Sequence, residues 1–236
     1  MYEDDPSWRV MFNLLRSMYH VHPVKTDIAG TVESIAEITP EMLYRCYNTF
    51  YNLRNMVLCV AGNVNTQEVL EVADRMLQPC EKVEVERAFL PEPEKICQPY
   101  IEEEMEVPFP MFQLGFKEEP DQGGEQGDVE TEVLLELMAS DASPLFRRLL
   151  DAGLVNESSF GCGRFSGSGY SCVLFSGESR DPKAVAEEVC REAERLRKEG
   201  IDPQDFSRAQ KAVYGRNISL LNSDEAIANE MVSLTF

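Results

Sequence analysis

SSFGCGRFSGSGYSCVLFSG, residues 158–177, sets two apolar-rich runs around Ser166-Gly167-Ser168-Gly169. Glycine reaches the positive φ of a tight turn without a Cβ penalty, so the stretch predicts a β-hairpin with strands Ser158–Phe165 and Tyr170–Gly177. A hairpin cannot join parallel neighbours, and the sheet is therefore mixed or antiparallel. Met111–Phe116 is a further strand candidate. Met56–Val60, inside RNMVLCVAGNVN (54–65), is a continuous apolar run of the kind expected for a strand buried on both faces or in a sheet centre.

Working outward, helix starts are marked by a capping residue followed by proline at Thr39-Pro40, Ser143-Pro144, Asp181-Pro182 and Asp202-Pro203. Proline at the first helical position loses no hydrogen bond, and the preceding side chain accepts from free N–H groups. The first of these helices carries Leu43, Cys46, Tyr47, Phe50 and Tyr51 on one face. The third carries Val185, Ala186, Val189, Ala193 and Leu196 and closes at Gly200. Both faces are expected on a core. Asn65 and Glu68 predict a capping box for a helix bearing Val69, Val72, Ala73, Met76 and Leu77. Residues 79–100, rich in proline and charge, read as a linker between two blocks, and residues 121–128, DQGGEQGD, as a surface loop.

With 236 residues and 43% apolar content the chain fills a real core, and its net charge of −20 repels phosphate backbones and anionic lipid headgroups. Neither nucleic acid nor a membrane surface is an expected partner. No apolar run approaches the ~18 residues of a membrane span, and MYEDDPSW is acidic where a secretory signal is basic, so cytoplasm is the expected compartment. The seven cysteines include Cys59 and Cys190 within apolar patterns, which suits reduced, buried thiols better than a disulfide framework.

The residues offer no active site. A dinucleotide fingerprint needs three glycines across a strand-to-helix turn, whereas Gly62 stands alone, and GCGRFSGSG lies between two strands. The histidines His20 and His22 form an H-x-H pair that suits zinc in principle. A helix would put them on different faces, and Pro23 pushes His22 towards extended structure, so structural loop histidines are the better reading. The carboxylate runs at Glu3 to Asp5 and Glu102 to Glu104 lack the glycine spacing of a calcium loop and read as surface acid.

One ordered set of motifs goes further. His22-Pro23, Gly30-Thr31, Ile35, Ile38-Thr39, Phe50-Tyr51, Asn55-Met56 and Gly62-Asn63-Val64, together with SPLFRRLLDAGLV (143–155) and DFSRAQKAVYGRNISLLNSDEAIANE (205–230), resemble the insulinase/pitrilysin-type zinc metallopeptidases, the inverzincins, and within them a YmfH-like bacterial subgroup. The resemblance runs along nearly the whole chain. It implies an α+β, two-layer fold with a mostly antiparallel sheet and helices packed on one face, as in LuxS and the processing peptidases. In its terms residues 1–78 are the C-terminal half of a first peptidase-type domain, 79–100 a linker, and 101–236 the N-terminal part of a second, non-catalytic homologous domain. Met56–Val60 would insert among the strands of the second block if the pieces close as one permuted domain; two partial lobes or a swapped dimer are the rival arrangements.

The resemblance also implies a chemistry that these residues do not supply. The family holds zinc through an H-x-x-E-H motif, whose glutamate activates water, and through a third glutamate shortly before the segment like MYEDDPSW. No H-x-x-E-H occurs here. The expectation is a catalytically silent fragment with no cofactor of its own, zinc belonging to the parent enzyme, where the fragment would wall a chamber and support peptide binding. A naturally inactive partner subunit of a paired peptidase and a stand-alone binding module are the alternatives, with a homo-oligomer or homologous subunit as further partners. The positions aligned with the family's substrate-orienting Arg and Tyr are Leu150 and Asn156.

Overall fold

The computed structural model describes residues 4–85, 90–120 and 124–235. Two compact units emerge: unit 1 takes Met1–Gly30 and Phe89–Val213, unit 2 takes Thr31–Ala88 and Tyr214–Phe236.

In unit 1, β1 (Met111–Glu118), β2 (Gly161–Gly167) and β3 (Tyr170–Glu178) form a sheet of order β1-β3-β2 with both ladders antiparallel. The expected hairpin is β2–β3, turning through Gly169 at φ 79°. Side chains alternate across a strand, and β3 shows both sides of the alternation. Val173 and Phe175 join a core with Phe112 and with side chains of α5 (Gly124–Ala139), α6 (Pro144–Asp151) and α7 (Pro182–Glu199), including Leu135, Leu149, Val185 and Val189. Cys172 and Leu174 join Phe12, Leu15 and Met18 of α1 (Pro6–Met18), which covers the opposite face. The fold is α+β with a wholly antiparallel sheet.

Gly115 lets α1 lie close on β1. A Cβ there would stand 2.8 Å from Met18 Sδ and 3.1 Å from Leu14 Cδ1. Overpacking of this kind displaces well-packed neighbours, so Gly115→Val is expected to lower stability by roughly 1–3 kcal/mol, read as a shift in the urea midpoint with unchanged slope.

All four helices expected to open on proline are present: α3 (Pro40–Phe50), α6, α7 and α8 (Pro203–Leu220). Ser143 Oγ accepts from Phe146 N at 3.0 Å and Asp181 Oδ1 from Ala184 N at 3.0 Å. A fifth start, Asp5-Pro6, opens α1 by the same chemistry, Asp5 Oδ1 accepting from Ser7 N and Trp8 N. Part of the expected loop at 121–128 is instead the first turn of α5, residues 121–123 lying outside the described ones. Buried Val133, Leu135, Leu137 and Met138 hold that helix, and packing of such a face outweighs the low propensity of its glycines.

Unit 2 contains α2 (Val32–Ala36), α3, α4 (Thr66–Met76), α9 (Asp224–Ser233) and the end of α8. None of its described residues is buried. The α3 face expected on a core is open: Leu43 is 60% exposed and Tyr47 56%. Met56–Val60, expected as a strand, joins no ladder among the described residues. A strand is completed by a partner's backbone groups, which an apolar run does not itself supply. Asn65 caps its helix through Gln67 N, which its Oδ1 meets at 2.9 Å, rather than through Glu68 as the expected box requires; a reciprocal box occurs at Thr31 and Ser34. No disulfide joins the cysteines, and of the two expected to be buried Cys190 is exposed and Cys59 half-buried; Cys172 is the buried one.

Candidate functional site

The two sequence-assigned positions flank the exit of α6. That helix ends in a Schellman turn: Gly153, at φ 65°, donates to Leu150 O, and Leu154 N donates to Leu149 O at 2.9 Å. Leu150 is half-buried and packs on the core beneath α6. Asn156 is exposed and its amide is spent on the next turn. Its Oδ1 accepts from Ser159 N at 2.8 Å and its Nδ2 donates to Glu178 Oε2 at 2.8 Å, tying the turn to the end of β3. The first therefore supports the exit from below, and the second braces it from outside.

The metal-capable side chains are committed elsewhere. His22 is buried; its Nδ1 accepts from Val24 N at 3.1 Å and its Nε2 bonds Ser168 O at 3.1 Å. His20 Nε2 bonds Lys95 O at 3.0 Å. Of the carboxylate runs, Glu3 lies outside the described residues, Asp5 caps α1, Glu102 accepts from Tyr100, and Glu103 accepts from Arg9 and from Asn13 at 2.7 Å. No group of three His, Cys, Asp or Glu able to hold a metal occurs among the described residues. Burial pushes the Cys172 thiol up to about 11, so it stays protonated and poorly nucleophilic.

Sequence reasoning missed three polar clusters. Glu192, 1% exposed, receives Arg148 from α6 and Arg195 from its own helix, both at 2.7 Å. Burial disfavours its charge, but the arginine hydrogen bonds prevail and its acidity is increased. Arg164 on β2 donates to Glu118 Oε2 at 3.0 Å and to Ser171 Oγ at 3.1 Å. Glu92 and Lys117 form the third, with 10% and 9% of their side chains exposed. Lys117 Nζ donates to Glu92 Oε1 at 2.8 Å, Pro93 O at 2.7 Å and Met18 O at 3.1 Å, using all three of its donors. Glu92 Oε1 also accepts from His20 N at 2.8 Å, while Oε2 accepts from Val21 N at 2.9 Å and His22 N at 2.8 Å. Burial works against ionisation of Glu92, yet the Lys117 hydrogen bond and then the three backbone N–H groups hold it down at about 2. Glu92 and Arg164 show in advance as charges within a proline-rich and a glycine-rich run, whereas Glu192 is lost among the many charges of its helix.

Residues 37–213 match the family described as the Peptidase M16 inactive domain. The chain belongs to this family. Among curated relatives the M16 chain is 32% identical over 246 residues to the uncharacterized zinc protease YmfH of Bacillus subtilis (strain 168), an alignment that covers 100% of this chain and 56% of the relative. Among solved structures, an M16-like peptidase from Alicyclobacillus acidocaldarius superposes with a TM-score of 0.89 at 32% identity, covering 99% of this chain and 56% of the other. A protease from Helicobacter pylori reaches 0.82 at 20% identity, covering 97% of this chain and 56% of its own, and shares the fold. The M16 chain thus spans a little over half the length of these relatives. The zinc named for the Bacillus relative has no fitting ligand set among the described residues, whose histidine rings are engaged by backbone groups.

Proposed function

We propose that this chain is the non-catalytic portion of a cytoplasmic zinc-dependent M16 peptidase, walling the chamber of the parent enzyme and supporting the binding of unstructured peptides there. The observation that carries this reading is the pairing of an inactive-domain match over residues 37–213 with a sequence that holds two histidines and no H-x-x-E-H. In such zinc peptidases a metal held by these ligands turns water into a nucleophile at neutral pH. Zinc and the hydrolytic step belong, on this reading, to the part of the longer relatives outside this span.

The test is cleavage of a fluorogenic unstructured peptide by the purified chain, alone and mixed with an H-x-x-E-H-bearing segment from a longer relative, with and without a chelator. Background turnover alone and chelator-sensitive turnover in the mixture are expected. Stoichiometric zinc with chelator-sensitive cleavage by this chain alone would overturn the proposal.

A further inference from the structure

The stretch after residue 90 carries no helix or strand until β1, yet it is held along α1 at successive points. Glu92 takes the three amides of residues 20–22, Pro93 O takes Lys117, and Lys95 O meets His20 Nε2. Cys97 N and Gln98 N both donate to Ser17 O, at 2.8 and 3.1 Å, and Glu103 engages Arg9 and Asn13. Two features make these contacts one device. First, α1 ends without glycine, its C-cap Tyr19 being extended, and the orphan carbonyls of a last helical turn need donors. Here Ser17 O is served by residues 97 and 98, and Met18 O by Lys117. Second, the stretch buries little apolar surface, with Ile96 43% and Tyr100 69% exposed, so polar bonds hold it closed. Glu92, its side chain 10% exposed, makes four of them.

We propose that residues 90–103 form a strap that closes over the C-terminal turn of α1 and the 20–22 turn as one cooperative element, with the Glu92–Lys117 pair as its single release point. The strap is a conformational device within unit 1: open, it uncaps α1; closed, it seats the helix end against the edge of the sheet. Elements that open together below the global transition exchange their amide hydrogens at a shared free energy.

Native-state hydrogen exchange of the full chain in low urea tests this. The amides of His20, Val21, His22, Cys97 and Gln98 are expected to share one opening below the global one. Glu92→Gln is expected to speed all five in step, by about tenfold or more, as a set of charge-assisted bonds is lost, while Cys172 to Phe175 on β3 keep their rates. Openings that differ among the five, or that coincide with global unfolding, would overturn the strap. So would a Glu92→Gln protein in which residues 20–22 accelerate and 97–98 do not. Should that variant fail to fold, the unsubstituted chain alone decides, since the shared opening is read from it.

Discussion

Lys117→Met is expected to lower the unfolding free energy by about 3–5 kcal/mol, because it leaves a buried carboxylate facing an apolar side chain. The fluorescence of Trp8, the single tryptophan, sits on α1 and reports the transition in urea at pH 7. Replacing both partners, Lys117→Met with Glu92→Leu, is expected to recover part of the loss, since no uncompensated charge then remains; the three amides freed at residues 20–22 still need an acceptor and set the limit of that recovery. The pH dependence has a definite sign. Glu92 titrates at about 2 in the folded chain against 4.5 for an ordinary glutamate. Its contribution, about 3 kcal/mol by linkage, is complete above the ordinary value and is lost as pH falls from about 4.5 through about 2. An acid-unfolding profile equal to that of Lys117→Met across this window would contradict the assignment.

Phe175→Ala is the second large effect, a loss of about 3–5 kcal/mol. Phe175 is 1% exposed at the middle of β3, the central strand, and meets Phe116 of β1 edge-to-face with ring centroids 6.0 Å apart. Its ring lies among side chains of α6 and α7, so truncation opens a cavity lined from two layers that cannot both collapse into it. Thermal unfolding followed by circular dichroism should show the midpoint falling by about 10 °C or more for a unit of this size. A fall of only a few degrees would mean that the helices slide in to fill the space.

What was legible beforehand follows the range of the forces involved. The proline-opened helices could be read because cap and proline act within four residues, and the β2–β3 hairpin because its turn is decided by Gly169 and its neighbours. Asp5-Pro6 carries the same signature inside an acidic run that drew attention to its charge instead. Met56–Val60 misled because an apolar run describes what a segment wants to bury, whereas a strand also requires a partner's ladder. The start of α5 was hidden by glycines that its buried leucines overrule. Glu92 and Lys117 lie 25 residues apart in segments without periodicity, so nothing local linked them. At the candidate exit of α6, the helix and its glycine stop were readable, but the use of Asn156 as a brace to Glu178 depends on β3 arriving alongside.

Unit 2 stands apart in burying no described side chain while keeping amphipathic helices with good caps. Eleven-residue helices such as α3 and α4 are marginal in water on propensity alone. Substituting Tyr47 or Leu43 with serine therefore removes almost nothing from that unit's own interior. In a saturation mutagenesis screen, intolerance at these positions would therefore report a demand other than packing within the unit, and tolerance is the expected result from burial alone.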